Sequence, residues 1–283
     1  MTVRAGRLAG KTVLMTGVSP NLIGGIAYGL ADEGAQIFCV DVNPAFSTAC
    51  AKAIRDRGGD ADSFVADVTD EAAVVAAVEA ALARFGKIDV FVHGAAISRP
   101  GSLFDMAVAE WRLQIDVILT GAFLFAKHVA KSMIDRGIRG SIVNICSTEG
   151  HQGNIGNIAY GTAKSGLLNL TRAIAMELAP HGIRANTFTP TGTDATEGLA
   201  RAEDWGVPWT RSARSARRPE FSSGAEGVPL GRQPKPSDYA HGVVFLASDE
   251  SLMVTGTDLR MDGGVIAKYW RWNPLNASTA ERN

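Results

Sequence analysis

Cysteine is scarce in this chain, with Cys39, Cys50 and Cys146 the only three among 283 residues. Their odd number and irregular spacing exclude a disulfide framework and a thiolate metal site, so the expectation is reduced thiols, no metal and a cytoplasmic location. Charge of one sign is equally lacking. With 28 basic and 29 acidic residues the formal net charge is −1, which gives no global pull toward nucleic acid or an anionic membrane. The apolar run near the N-terminus, residues 12–15, is far too short for a signal peptide or a membrane span. Small-molecule chemistry is the class these absences leave open.

What is there is a packed α/β pattern. Apolar residues make up 46% of the chain, enough for a single large core. From Lys11 onward short apolar runs alternate with longer stretches of helical periodicity. That alternation predicts one domain built on a parallel sheet with helices on both faces. Strands are expected within residues 12–17, 35–41, 62–67, 88–94, 140–146, 183–189 and 255–262, with a helix starting near Gly24 after the first. Neither an internal repeat nor a break in composition marks a second domain.

The stretch from Ser147 to Lys164 holds the chemistry. Tyr160 and Lys164 are four residues apart in a segment, residues 158–178, whose apolar spacing reads as a helix, so both project from one face. A free phenol titrates near about 10, and lowering that by about two to three units requires roughly 3–4 kcal/mol of preferential stabilisation of the phenolate. Lys164 supplies a nearby cation, and the early helical position of Tyr160 adds the positive end of the dipole. Ser147, at the end of an expected strand, offers a hydroxyl that can donate to a substrate oxygen. The bland alternative for the pair is a surface lysine stacked on a tyrosine.

These residues resemble the short-chain dehydrogenase/reductase superfamily, in which a Ser stands thirteen residues before the Tyr of a Tyr-x-x-x-Lys motif, the spacing of Ser147 and Tyr160. The resemblance runs from about Gly10 to the closing motif Asp262–Gly264. It implies a doubly wound, seven-stranded, mostly parallel Rossmann sheet, with Ser147, Tyr160 and Lys164 as the catalytic set and NAD as cofactor. The dinucleotide would be held by Gly17, Asn21 and Ile23 after the first strand, by Asp41 after the second, and by Asp67 and Val68 beside the adenine. Ala95, Tyr160, Lys164, Pro190 and Thr193 would line its nicotinamide half. Asp41 can accept both hydroxyls of the adenine ribose and would repel a 2′-phosphate, and no Arg or Lys follows it directly, which favours NAD over NADP. Asp67 has a second reading as the N-cap of the next helix.

Several positions depart from the family pattern. Instead of Gly-x-x-x-Gly-x-Gly the chain offers Gly17 and then Gly24 and Gly25, an extended turn similar to that of the enoyl-reductase branch. That branch usually separates its Tyr and Lys by more than one helical turn, unlike Tyr160 and Lys164. His93 falls where the family has Asn-Asn-Ala-Gly and reads as a hydrogen-bonded structural residue. Ile118 replaces a catalytic Asn whose main-chain carbonyl holds a water next to the Lys. Its carbonyl can keep that role, while the side-chain bond supporting the helix distortion is lost.

Glu149, His151 and Asn157 border the expected substrate position, and Glu149 suits a hydroxyl-rich or cationic substrate or is a solvated loop charge. Residues 194–232 show no clear periodicity and read as a substrate lid, with Trp205, Trp209 and Phe221 as apolar cover and Arg211, Arg214, Arg217 and Arg218 as a basic run. The tail, residues 265–283, carries Tyr269, Trp270 and Trp272, which predicts docking on another subunit of a homo-oligomer, a tetramer or a dimer. The leading functional reading is an NAD(H)-dependent oxidoreductase acting on a secondary alcohol or ketone. Its rivals are a catalytically impaired NAD-binding sensor or scaffold, and an enoyl reductase.

Overall fold

The computed structural model describes residues 6–210 and 227–268. Strand β1 (Thr12–Thr16) is buried along its whole length, as a strand with neighbours on both edges and helices on both faces must be. With β2 (Gln36–Asp41), β3 (Ala61–Val65), β4 (Val90–His93), β5 (Ser141–Ile145), β6 (Arg184–Pro190) and β7 (Asp258–Met261) it forms a seven-stranded sheet in the order β3-β2-β1-β4-β5-β6-β7. Every pairing is parallel, so the sheet is wholly rather than mostly parallel. The strand order reverses direction at β1 and β4, which opens a crevice at the carboxyl edge between them.

The connecting helices are α1 (Leu22–Asp32), α2 (Pro44–Asp56), α3 (Glu71–Phe85), α4 (Val108–Ile115), α5 (Gly121–Asp135), α6 (Ile158–Leu178), α7 (Thr196–Trp205) and α8 (Pro236–Ala247). Ile26 and Leu30 of α1, Cys50 and Ile54 of α2 and Tyr239 and Val243 of α8 pack one face of the sheet. Val74 and Ala77 of α3, Phe125, Val129 and Met133 of α5 and Ala175 of α6 pack the other. Helices α4 and α5 form one rod, Val108–Asp135, joined by a π-helical turn at Asp116–Thr120. This rod is the one helix among the described residues long and apolar enough to cross a membrane, and its apolar stripe is spent on the sheet instead.

Three expectations need correction. Helix α1 starts at Leu22 rather than near Gly24. Asp70, not Asp67, caps α3 by accepting from the Ala72 amide at 2.9 Å. Within the segment expected to lack periodicity, residues 196–205 form helix α7. Its inward positions are Gly198, Arg201 and Ala202, and a face buried through a glycine and an arginine leaves no apolar period to count. Phe221, the four arginines of the basic run and the aromatic tail residues lie outside the described residues.

Candidate active site

At the crevice lies a cleft of about 490 Å³ bordered by Gly17, Asn21, Ile23, Asp41, Ser147, Glu149, Tyr160, Lys164, Pro190 and Thr193. Residues from four separate strand ends thus meet in one place, because parallel strands deliver all their following loops to the same edge.

The side chains of its β5–α6 half are held by short backbone contacts. Ser147 stands two residues beyond β5 in extended conformation, and its Oγ accepts from the Glu149 amide at 3.2 Å. With that lone pair engaged, the hydroxyl proton is free to point at a substrate oxygen. Lys164 is 2% exposed, and its Nζ donates to the Ile145 carbonyl at 2.6 Å. Burial pulls its pKa from 10.5 to about 8, with Cys146 opposing that shift. The same Nζ lies 5.7 Å from the centre of the Tyr160 ring. The amine is therefore turned inward, beside the phenol, and not out toward water. Gly150 makes this arrangement possible, since a Cβ there would meet the Lys164 carbonyl at 3.0 Å.

Behind Lys164, His93 is completely buried. Burial, reinforced by the Lys164 charge, pushes its pKa down to about 3, so the ring is neutral and carries one proton. A carbonyl can only accept, so Nε2 donates to Ile118 O (3.2 Å) and Nδ1 accepts from Thr16 Oγ1 (3.0 Å). Ile118 lies in the π-helical turn. The side-chain support that isoleucine cannot give its own helix is thus supplied by the histidine across the way.

In the β1–β2 half, Gly17 adopts φ +74°, and a Cβ there would come within 2.6 Å of the Ala95 backbone. Ala95 itself is buried directly behind this glycine, between the cleft residues Gly94 and Ala96. Helix α1 then starts with no side-chain cap, and the buried Asn21 Oδ1 makes no hydrogen bond among the described residues. The Gly24 amide donates to the Ser19 carbonyl at 2.9 Å, so it is the Leu22 and Ile23 amides, with the positive end of the helix, that offer what a pyrophosphate requires. Asp41 at the end of β2 is 9% exposed and accepts from the Asn43 amide at 2.8 Å. Burial raises its pKa to about 6, leaving a carboxylate at neutral pH. These groups fit a dinucleotide.

Other expected residues lie elsewhere. Asp67 is exposed, with Oδ1 accepting from the Thr69 amide and hydroxyl. Val68 packs against Gly121 in the core. His151 turns to the β6–β7 edge, where Nε2 is 3.2 Å from both Thr189 Oγ1 and Asp258 Oδ2. Asn157, 1% exposed, donates from Nδ2 to Glu149 Oε2 and accepts from Ser98 Oγ, so it orients the carboxylate from behind. Trp205 is not over the cleft: its Nε1 donates to Tyr28 Oη at 2.7 Å, docking α7 on α1. Sequence reasoning missed Ser19, Phe46 and Thr148 as cleft residues. Each stands within five positions of a residue it did name, which was the available signal.

A family model described as enoyl-(acyl carrier protein) reductase matches residues 22–266. This chain belongs to the short-chain dehydrogenase/reductase superfamily. A short-chain type dehydrogenase/reductase from Mycobacterium marinum superposes with a TM-score of 0.80 at 30% identity, over 92% of this chain and 97% of that one. D-threitol dehydrogenase of Mycolicibacterium smegmatis is 33% identical, over 93% of this chain and 95% of the relative. Cis-4-hydroxycyclohexanecarboxylate dehydrogenase of Sinomonas cyclohexanicum is 35% identical, over 92% and 98%. Membership makes the protein a short-chain dehydrogenase/reductase oxidoreductase and implies a nicotinamide cofactor.

Proposed function

We propose that this short-chain dehydrogenase/reductase interconverts a secondary alcohol and a ketone with NAD(H), using Tyr160 as general acid/base. The observation that carries the reading is the convergence of Ser147, Tyr160, Lys164 and Asp41 on one cleft. In the oxidising direction Ser147, its oxygen already engaged by the Glu149 amide, donates to the substrate oxygen and fixes it. Tyr160 takes the hydroxyl proton, and the Lys164 ammonium favours the phenolate electrostatically. A nicotinamide held in this cleft would supply the hydride acceptor for the carbinol carbon. The Asp41 carboxylate would accept the two ribose hydroxyls and repel a 2′-phosphate, which supports NAD over NADP.

The substrate class follows from Glu149. A carboxylate on the cleft, oriented by Asn157, accepts hydrogen bonds from hydroxyls near the reacting one and repels an anionic substrate. A small polyol suits it, in line with the D-threitol dehydrogenase likeness. Enoyl reduction is the second reading, favoured by the description of the matching family model and opposed by a Tyr160 and Lys164 only one helical turn apart. Buried free thiols at all three cysteines support a reducing, cytoplasmic setting.

The deciding assay follows NADH absorbance with polyols, simple secondary alcohols, ketones and an enoyl thioester. Tyr160→Phe should cut polyol turnover at least about 10³-fold with NADH binding, read by fluorescence, within about twofold. Normal turnover in that variant removes Tyr160 from the mechanism, and reduction of the thioester alone favours the rival. NADH binding without turnover of any compound favours the sensor. For quaternary structure, the groove between α5 and α6, with Phe123 48% and Ile134 37% exposed, supports pairing with a second copy. Sedimentation should then show an oligomer, and a monomer at micromolar concentration would refute it.

A further inference from the structure

The turn that would hold the pyrophosphate is gripped by a residue from the other end of the chain. Arg201 on α7 is 8% exposed, and its Nη1 donates to the carbonyls of Pro20 (2.6 Å) and Asn21 (3.2 Å). The paired glycines make room for it. A Cβ at Gly24 would come within 3.3 Å of Arg201 Cδ and 2.9 Å of the Trp205 ring, and one at Gly25 within 3.2 Å of Arg201 Nη2. The guanidinium carbon lies 5.1 Å from the centre of the Tyr28 ring, and Trp205 closes over the same tyrosine. Burial lowers its pKa, but a guanidinium keeps its proton at any pH at which the protein is folded.

In a trans peptide the C=O and N–H groups point in opposite directions, and the described chain has no cis bonds. Pinning the Pro20 and Asn21 carbonyls to Arg201 therefore aims the Asn21 and Leu22 amides the other way, and both residues line the cleft beside Gly17 and Ser19. We propose that Arg201 is a positioning residue for the dinucleotide: it presets the amides of the β1–α1 turn toward the pyrophosphate and ties helix α7 to the cofactor loop. The inference rests on reading the cleft as a dinucleotide site.

The test titrates wild type, Arg201→Met and Arg201→Lys with three ligands: NADH by fluorescence, ADP-ribose by calorimetry, and adenosine by NMR line broadening, which reads weak binding. NADH and ADP-ribose should weaken about 10–50-fold in Arg201→Met and about 3–5-fold in Arg201→Lys, whose point charge reaches one carbonyl, not two. Adenosine, which has no pyrophosphate, should stay within about twofold in both. Equal weakening of adenosine and ADP-ribose marks general loosening and overturns the proposal, as does no weakening at all. If Arg201→Met fails to fold, Arg201→Lys decides by the same criterion. Wild type that binds neither NADH nor ADP-ribose sinks the dinucleotide reading and this inference with it. Binding by wild type with unaltered variants sinks Arg201 alone.

Discussion

The two halves of the cleft are made of different materials. Around β5 and α6 the working groups are side chains, the Ser147 hydroxyl and the buried Lys164 amine, both held by backbone, and the Tyr160 phenol beside that amine. Around β1 and β2 the working groups are largely backbone, the uncapped start of α1 and the turn before it, supported by one carboxylate at Asp41. The difference teaches where each half is vulnerable. A half built from side chains fails when one atom is removed, whereas a half built from amides fails when the backbone is re-aimed.

That contrast can be broken at Lys164. Lys164→Met should lower turnover about 10³-fold, since the phenolate loses its cation. The same change should stabilise the fold. Burial holds the Lys164 pKa near 8 against 10.5, so the charged amine destabilises the native state by about 3 kcal/mol, offset by about 1 for the bond to Ile145. The penalty is complete below pH 8 and lapses as pH rises toward 10.5. Thermal unfolding at pH 7 should therefore show the variant more stable by about 2 kcal/mol, with the gap closing near pH 10. A less stable variant at pH 7 would mean that the amine is a structural strut.

Asp41→Asn sharpens the comparison from the other side. NADH should still bind within about tenfold, because amides carry the pyrophosphate, while the preference for NAD over NADP should fall about 30-fold. The raised pKa of Asp41, about 6, means that ionisation opposes folding above pH 6 and not below about 4. The variant should then be more stable at pH 7.5 by about 1–2 kcal/mol and no different at pH 4. In wild type, discrimination against NADP should weaken as pH falls through 6. Loss of all NADH binding would show that the carboxylate, not the backbone, governs this half.

The smallest expected effect is at Glu149. Glu149→Leu should reduce kcat/KM for small polyols about tenfold and leave a monohydric cyclic alcohol unchanged. Equal changes on both substrates would place Glu149 in supporting Ser147 and not in choosing the substrate.

The half around β5 and α6 was legible in sequence because its signals are local. The spacing of Tyr160 and Lys164 is one helical turn, and the run leading to Ser147 is a buried strand. The half around β1 and β2 was legible at Gly17, Asn21, Ile23 and Asp41, which border the cleft, but not in what its glycines do. Its paired glycines read as a phosphate turn, whereas Gly24 and Gly25 are small to admit Arg201, Trp205 and Pro236. Trp205 read as a substrate cover and proved to be a bolt between α7 and α1. Ile118 read as a loss of support for its helix, and His93, 25 positions earlier, makes it good.

The sequence by itself determined a parallel sheet with helices on both faces, and it named the serine, tyrosine and lysine that share one cleft. Periodicities of two and of 3.6 residues and a fixed spacing along one helix are properties of neighbours in the chain. Only the tertiary structure decided which way Lys164, His93, His151 and Arg201 turn. Three of them bond to main-chain carbonyls far away in sequence, and His151 pairs with Asp258 on another strand. Every residue carries a carbonyl, so no pattern of side chains marks which one a buried cation or a neutral ring will find.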